Sequence, residues 1–372
     1  MRHTRASDYS RLDRTVFTRT TVKPLTAAVA GAGALGNEAV KALGLLGTGC
    51  VLVIDPDVVQ PSDLTRSVLF RQTDFTGCNK AVALASAAAK LFPDTQFLAE
   101  GSEIADVGFG RLAGVDLLLS CVDSDLARLE IAYISTRLGI PVCDAGLGTP
   151  NYSHGRVSWF PAASGACFGC KLTPRKRREL LTLWNATIRP CGDAPSEQAA
   201  PSTPTMAAMI GSAQVELGLR WKMQATSESQ TFEISLDGEP RARWFRTPRS
   251  ASCPFHEFPG DRLCELPSPQ ATFLDLLESA GESACVLLDW PIVVRARCRD
   301  CGREWAPMQR AAVLRRKQGI KSICPSCGSR SILEQESIRV IGRNSPWVGF
   351  KPEQLGLPES HRYAIRFESG GK

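Results

Sequence analysis

The stretch "LTAAVAGAGALGNEAVKALGLLG", residues 25–47, constrains the fold more than any other part of the chain. It joins a short apolar run, a G-x-G-x-x-G turn and an amphipathic segment, and a second apolar run, "CVLVID", follows at residues 50–55. That succession is a βαβ unit. Parallel strands joined in this way commit the chain to a sheet covered on both faces. Gly31, Gly33 and Gly36 suit a backbone that turns tightly and lets a phosphate approach a helix N-terminus. Asp55 lies 19 residues beyond Gly36, at the end of the next strand, where a carboxylate can accept from ribose hydroxyls. To this point a dinucleotide and a nucleoside triphosphate fit equally.

The alternation continues along the chain. "NKAVALASAAAKLFP" reads as a helix ended by Pro93, "TQFLAEGSEI" and "VDLLLSCVD" as strands, "SDLARLEIAYISTRLG" as a helix and "IPVCDAG" as a strand. The pattern predicts the α/β class, with a Rossmann-like, doubly wound, mostly parallel sheet, to about residue 147. "GRVSWFP", "QTFEISLD" and "ARWFRTP" predict a more antiparallel continuation, with "MAAMIGSAQVELGLRWK" returning to helix. Residues 186–205 are rich in Pro, Ser and Ala and read as an irregular loop. The expected organisation is an N-terminal arm (1–24), a large domain (25–264), and a linker with a small cysteine-bearing module (265–372).

The residues after Asp55 separate the two nucleotides. "DPDVVQPSDLTRS" adds Asp57 and places Arg66 eleven residues after Asp55; Lys80 opens a helix, and "CVDSDLAR" brings Asp123 and Arg128. Hydride transfer needs no such set, whereas cleaving a triphosphate does: cations offset charge on the phosphates, and an Asp can hold Mg2+. The three segments resemble the ThiF/MoeB/HesA superfamily, the adenylating domain of ubiquitin-activating enzymes, over about residues 8–260. The resemblance implies that Asp55 binds the ATP ribose, that Arg66 and Lys80 contact phosphates, and that Asp123 binds Mg2+. Arg14, in "RLDRTVF", would reach the nucleotide of a second copy in a homodimer. Three positions depart from the family pattern: Asp63 and Ser124 stand where it has Asn, and Ser67 where it has Gln.

The chain has 14 cysteines, and no apolar signal core or membrane-length run is present, so a reducing, cytoplasmic setting is expected. There, Cys-x-x-Cys pairs read as metal ligands before disulfides. Cys167 and Cys170 form one such pair. The resemblance implies a zinc site completed near the end of the adenylation domain, by Cys253 and His256 in "CPFH"; the rival is completion from the tail. Cys298 with Cys301, and Cys324 with Cys327, form two more pairs separated by 22 residues, the spacing of a zinc ribbon, with a redox dithiol as the rival. Cys50, Cys121 and Cys143 read as buried core thiols. Cys191, in "IRPCGDAPSE" behind Arg189, is the position from which the family's cysteine attacks an acyl-adenylate.

The resemblance implies ATP-dependent adenylation of the C-terminal glycine of a ubiquitin-like protein, a thioester on Cys191 and transfer to a conjugating enzyme, as in bacterial antiphage conjugation operons. The alternatives are activation of a sulfur-carrier protein and a catalytically inactive scaffold. ATP, Mg2+ and Zn2+ are the expected cofactors. The net charge of +6 arises from scattered Lys and Arg and from two short basic runs, too little to predict a nucleic-acid partner.

Overall fold

A computed structural model of the chain describes residues 7–72, 75–148, 153–162, 165–185, 202–256, 262–281, 284–310, 323–358 and 361–367. They fall into two compact units, one within Met1–Ala105, Leu112–Thr173 and Pro195–Glu257, the other within Asp106–Arg111, Pro174–Ala194 and Phe258–Lys372.

In chain order the first part runs α1 (Arg19–Val22), β1 (Thr26–Ala30), α2 (Ala34–Leu46), β2 (Cys50–Ile54), α3 (Lys80–Leu91), β3 (Gln96–Glu100), α4 (Phe109–Leu112), β4 (Leu117–Ser120), α5 (Asp125–Leu138) and β5 (Val142–Gly148). It continues through β6 (His154–Phe160), α6 (Phe168–Lys171), α7 (Pro174–Asn185), α8 (Pro204–Met223), β7 (Gln230–Ser235) and β8 (Arg241–Arg246). The strands form one eight-stranded sheet in the order β3-β2-β1-β4-β5-β6-β7-β8. The first five are parallel, and β6, β7 and β8 join as an antiparallel meander. This is the doubly wound sheet and antiparallel continuation that the sequence predicts. In β1 and β2 every residue after the first is buried, and β4 is buried throughout. Such strands have both faces covered, as a parallel sheet requires.

Local chemistry sets the helix ends. Asn79, Ser124 and Thr203 cap α3, α5 and α8 by accepting from Val82, Ala127 and Met206. Gly47 and Gly139 close α2 and α5 in the left-handed conformation, with φ of 69° and 72°. Ser124, one of the three departures, therefore serves as an N-cap. Gln214 on α8, fully buried, donates to the carbonyls of Ser120 (3.0 Å) and Cys143 (2.8 Å), so it fastens the ends of β4 and β5.

The second unit contains β9 (Arg262–Cys264), α9 (Phe273–Ala280), β10 (Ala284–Cys298), β11 (Glu304–Trp305), β12 (Gln309–Arg310), β13 (Ile332–Ile341) and β14 (Tyr363–Phe367). The long β10 pairs with β11, β12, β13 and β14, and β14 pairs with β9. Phe273, Leu277, Val286, Ile292, Ile341, Tyr363 and Ile365 form its own core. Residues 273–280, a linker by composition, are thus a helix whose apolar face is buried there.

Candidate nucleotide and metal sites

The three glycines of the first turn do different work. Gly31 has φ of 97°, and a Cβ on it would lie 2.6 Å from the Cys121 carbonyl oxygen. A Cβ on Gly36 would lie 1.9 Å from the Gly31 carbonyl oxygen. Both glycines let backbone meet backbone. A Cβ on Gly33 would meet nothing within 4 Å, and Gly33 starts α2 without any side-chain cap. The first-turn amides of α2 are the kind of donors that hold a phosphate, and the middle glycine leaves the space for one.

Asp55, at the end of β2, accepts from the Ala32 amide (2.6 Å) and from the Asp57 amide (2.8 Å). Its carboxylate therefore clips the glycine turn to the following loop. Burial raises its pKa, and these two bonds and the nearby Lys80 oppose the rise. Asn79, unanticipated from the sequence as a site residue, donates to the Asp55 and Asp57 carbonyls while capping α3. Its position before Lys80 at a helix start was the available signal.

Lys80, at the start of α3, lies 3.3 Å from Asp57 and 3.5 Å from Asp63. Burial opposes its charge, but Asp55, Asp63 and Asp57 outweigh that and hold its pKa above the ordinary value. Arg66 lies 3.2 Å from Asp63 and donates to Ser202 Oγ at 3.3 Å. Asp63 is itself 2% exposed and accepts from the Gln60 amide at 3.0 Å. The carboxylate that departs from the family pattern is thus bonded to both cations. Ser67, the next residue after Arg66, is buried.

Asp123 is exposed in the turn after β4. Arg128 turns away from solvent: it donates to Asp144 (3.0 Å) and to the Val122 carbonyl (2.6 Å), bracing the turn that carries Asp123. Arg14 is exposed on a short turn over Leu12–Arg14. Cys191 lies outside the described residues. Cys121 and Cys143 are buried, and burial pushes the Cys121 thiol up to about 12 and that of Cys143 well above its ordinary value. Cys50, expected to be buried, is partly exposed, at the first position of β2.

Two cysteine clusters have the geometry of metal centres. Cys167, Cys170, Cys253 and His256 place their ligand atoms within 4.8 Å of one another, and Cys298, Cys301, Cys324 and Cys327 do the same. In the first, Cys167 Sγ lies 3.7 Å from Cys253 Sγ, and Cys170 Sγ 3.1 Å from His256 Nε2. In the second, Cys298–Cys327 and Cys301–Cys324 are each 3.6 Å apart. Four thiolates at about 2.3 Å from a zinc ion stand about 3.8 Å apart, so both donor sets fit it. The second cluster is built from two turns of one design. Gly302 and Gly328, with φ of 74° and 72°, donate to the carbonyls of Cys298 and Cys324. Cys298 and Cys324 in turn donate to the carbonyls of Arg303 and Ser329.

Residues 18–254 match the ThiF family. The chain belongs to the ThiF family. Among curated relatives, ubiquitin-like modifier-activating enzyme 5 of Oryza sativa subsp. japonica is 29% identical over 163 residues, covering 40% of this chain and 38% of that protein. Its Xenopus laevis counterpart is 28% identical over 162 residues, 40% of each chain. The matched region is thus about two fifths of these relatives' length. Among solved structures, E. coli MccB with MccA-N7isoASN has a TM-score of 0.51 and 17% identity, covering 68% of this chain and 76% of that one. This likeness is one of fold. Among the described residues, no helix is long and apolar enough to cross a membrane.

Proposed function

We propose that the chain is an E1-like adenylyltransferase that activates the C-terminal carboxylate of a ubiquitin-like or sulfur-carrier protein. The observation that carries this reading is the open turn at Gly33 set in the same loop system as Asp55, Arg66 and Lys80. Hydroxyl acceptors at Asp55 and phosphate donors at Arg66, Lys80 and the α2 amides suit Mg-ATP. The partner's carboxylate oxygen attacks the α-phosphorus, the bond to the β-phosphate oxygen breaks, and pyrophosphate leaves. The enzyme orients the tail and offsets charge on the leaving group. Mg2+, for which Asp123 is the candidate ligand, would supply further charge neutralisation when bound. The thiolate of Cys191 then attacks the acyl carbon, AMP leaves, and a thioester remains for a conjugating enzyme. We place the pair within a homodimer served by Arg14, and in a bacterial antiphage conjugation system. The two cysteine clusters hold Zn2+ as structural centres.

The relatives named for ubiquitin-like modifier activation support this reading. It is tested by incubating the full chain with Mg-ATP and a ubiquitin-like protein ending in Gly-Gly, then weighing the intact products without reductant. The expected result is a thiol-labile adduct of partner mass that Cys191→Ala abolishes. Adenylated partner with no adduct would reassign Cys191 and favour sulfur transfer. Absence of both products, with no ATP binding, would leave a scaffold.

A further inference from the structure

Asp63 is a carboxylate of the nucleotide site that touches both cations. It is almost wholly buried and reaches Arg66 with one oxygen (3.2 Å) and Lys80 with the other (3.5 Å). Asp63 thus sets one buried negative charge against the two positive charges of Arg66 and Lys80. A bare triphosphate, highly anionic, therefore meets less attraction there than the two cations would give without Asp63. We propose that Asp63 makes ATP capture depend on a divalent cation: it holds Arg66 and Lys80 in position while cancelling charge they would otherwise offer a phosphate chain. The inference rests on the reading of this site as an ATP site.

The other two carboxylates are poorer candidates for this role. The Asp57 side chain is 67% exposed, so water and salt screen it. Asp55 is engaged by two backbone amides and makes no ion pair with Arg66 among the described residues. Asp63 also accepts from the Gln60 amide, but a neutral acceptor can make that bond. Only the hold on two cations needs its charge. Asp63 is therefore a positioning residue, and its signature is the ratio of ATP affinities with and without metal.

The test measures the Kd of ATP by calorimetry on the full chain, once with EDTA and once with excess Mg2+. Wild type is compared with Asp63→Asn and, in case that variant does not fold, with Asp63→Ser, whose hydroxyl can still accept from the Gln60 amide. Removing one unit charge a few ångströms from the phosphates is expected to lower the ratio of Kd in EDTA to Kd in Mg2+ roughly tenfold. Most of that change should come from tighter metal-free binding. Asp57→Asn is expected to lower the ratio by less than about threefold, because of screening. A purely structural Asp63 would weaken both affinities together and leave the ratio at its wild-type value, which overturns the inference alone. An Asp57→Asn effect as large as that of Asp63→Asn also overturns it. Wild type that binds ATP in neither condition overturns the ATP-site reading, and the inference with it.

Discussion

Gly33 and Gly36 stand three residues apart in one turn, yet a side chain on each meets a different fate. A Cβ at position 36 would enter the Gly31 carbonyl at 1.9 Å, while one at 33 has open space. Gly36→Ala is therefore expected to cost at least about 2 kcal/mol of stability. Gly33→Ala should stay within about 0.5 kcal/mol in urea unfolding and instead weaken ATP binding. Equal stability losses would mean that the turn has no space reserved for a ligand. Lys80 makes a pH-dependent case. Its pKa is raised above 10.5, so the stability it contributes is fully present below that value and is lost as pH climbs through the raised one. Lys80→Met should cost roughly 2–4 kcal/mol, since it leaves buried Asp63 with one cation fewer. The gap from wild type should hold steady between about pH 6 and 9 and close only in more alkaline solution. Chemical unfolding across that range measures it, and a gap that closes below about pH 9 would mean the ammonium is not held by its three carboxylates.

At the scale of elements, one buried polar side chain of α8 ties that helix to two strands. Gln214 donates to two carbonyls at the ends of β4 and β5 and accepts from the Cys121 thiol at 3.2 Å. Gln214→Leu fills the volume but strands both carbonyls, which should cost roughly 2–4 kcal/mol in urea unfolding. An unchanged midpoint would mean that water reaches these groups. This contact explains what the sequence could not show. The glycine turn, the strand alternation and the Cys-x-x-Cys pairs are local patterns, so spacing alone exposed them. The hold of Gln214 on Ser120, 94 residues away, leaves no periodic trace in the chain. Asp63 departs from the family pattern; its partner Arg66 is only three residues away, but Lys80 lies on α3 and meets it only in three dimensions. Arg128 belongs with these cases. The motif gave its place but no partner, and the fold pairs it with Asp144.

At the scale of the molecule, the two units show how far composition can be read. The eight-stranded sheet follows from the alternation of strands and helices. The second sheet does not, because β10 and β14 pair across the span that holds the cysteine pairs and β13, and no local pattern announces that pairing. What composition does mark in each unit is one cluster of metal-ligand spacing, and the geometry of each is complete. The whole chain should therefore carry two zinc ions, measurable by elemental analysis of protein purified without chelator. Cys170→Ser should lower the count to one by emptying the site of the first unit, and Cys298→Ser should do so by emptying that of the second. The two sites also differ in ligand type. Cobalt substituted into the Cys298→Ser protein would report a three-thiolate, one-imidazole centre, and cobalt in the Cys170→Ser protein a four-thiolate centre with stronger charge-transfer absorption. A single zinc in wild type that Cys170→Ser removes and Cys298→Ser leaves in place would mean that the tail cysteines act as a redox pair. A Cys3His spectrum from both variants would place His256 in a shared site, contrary to the separate clusters.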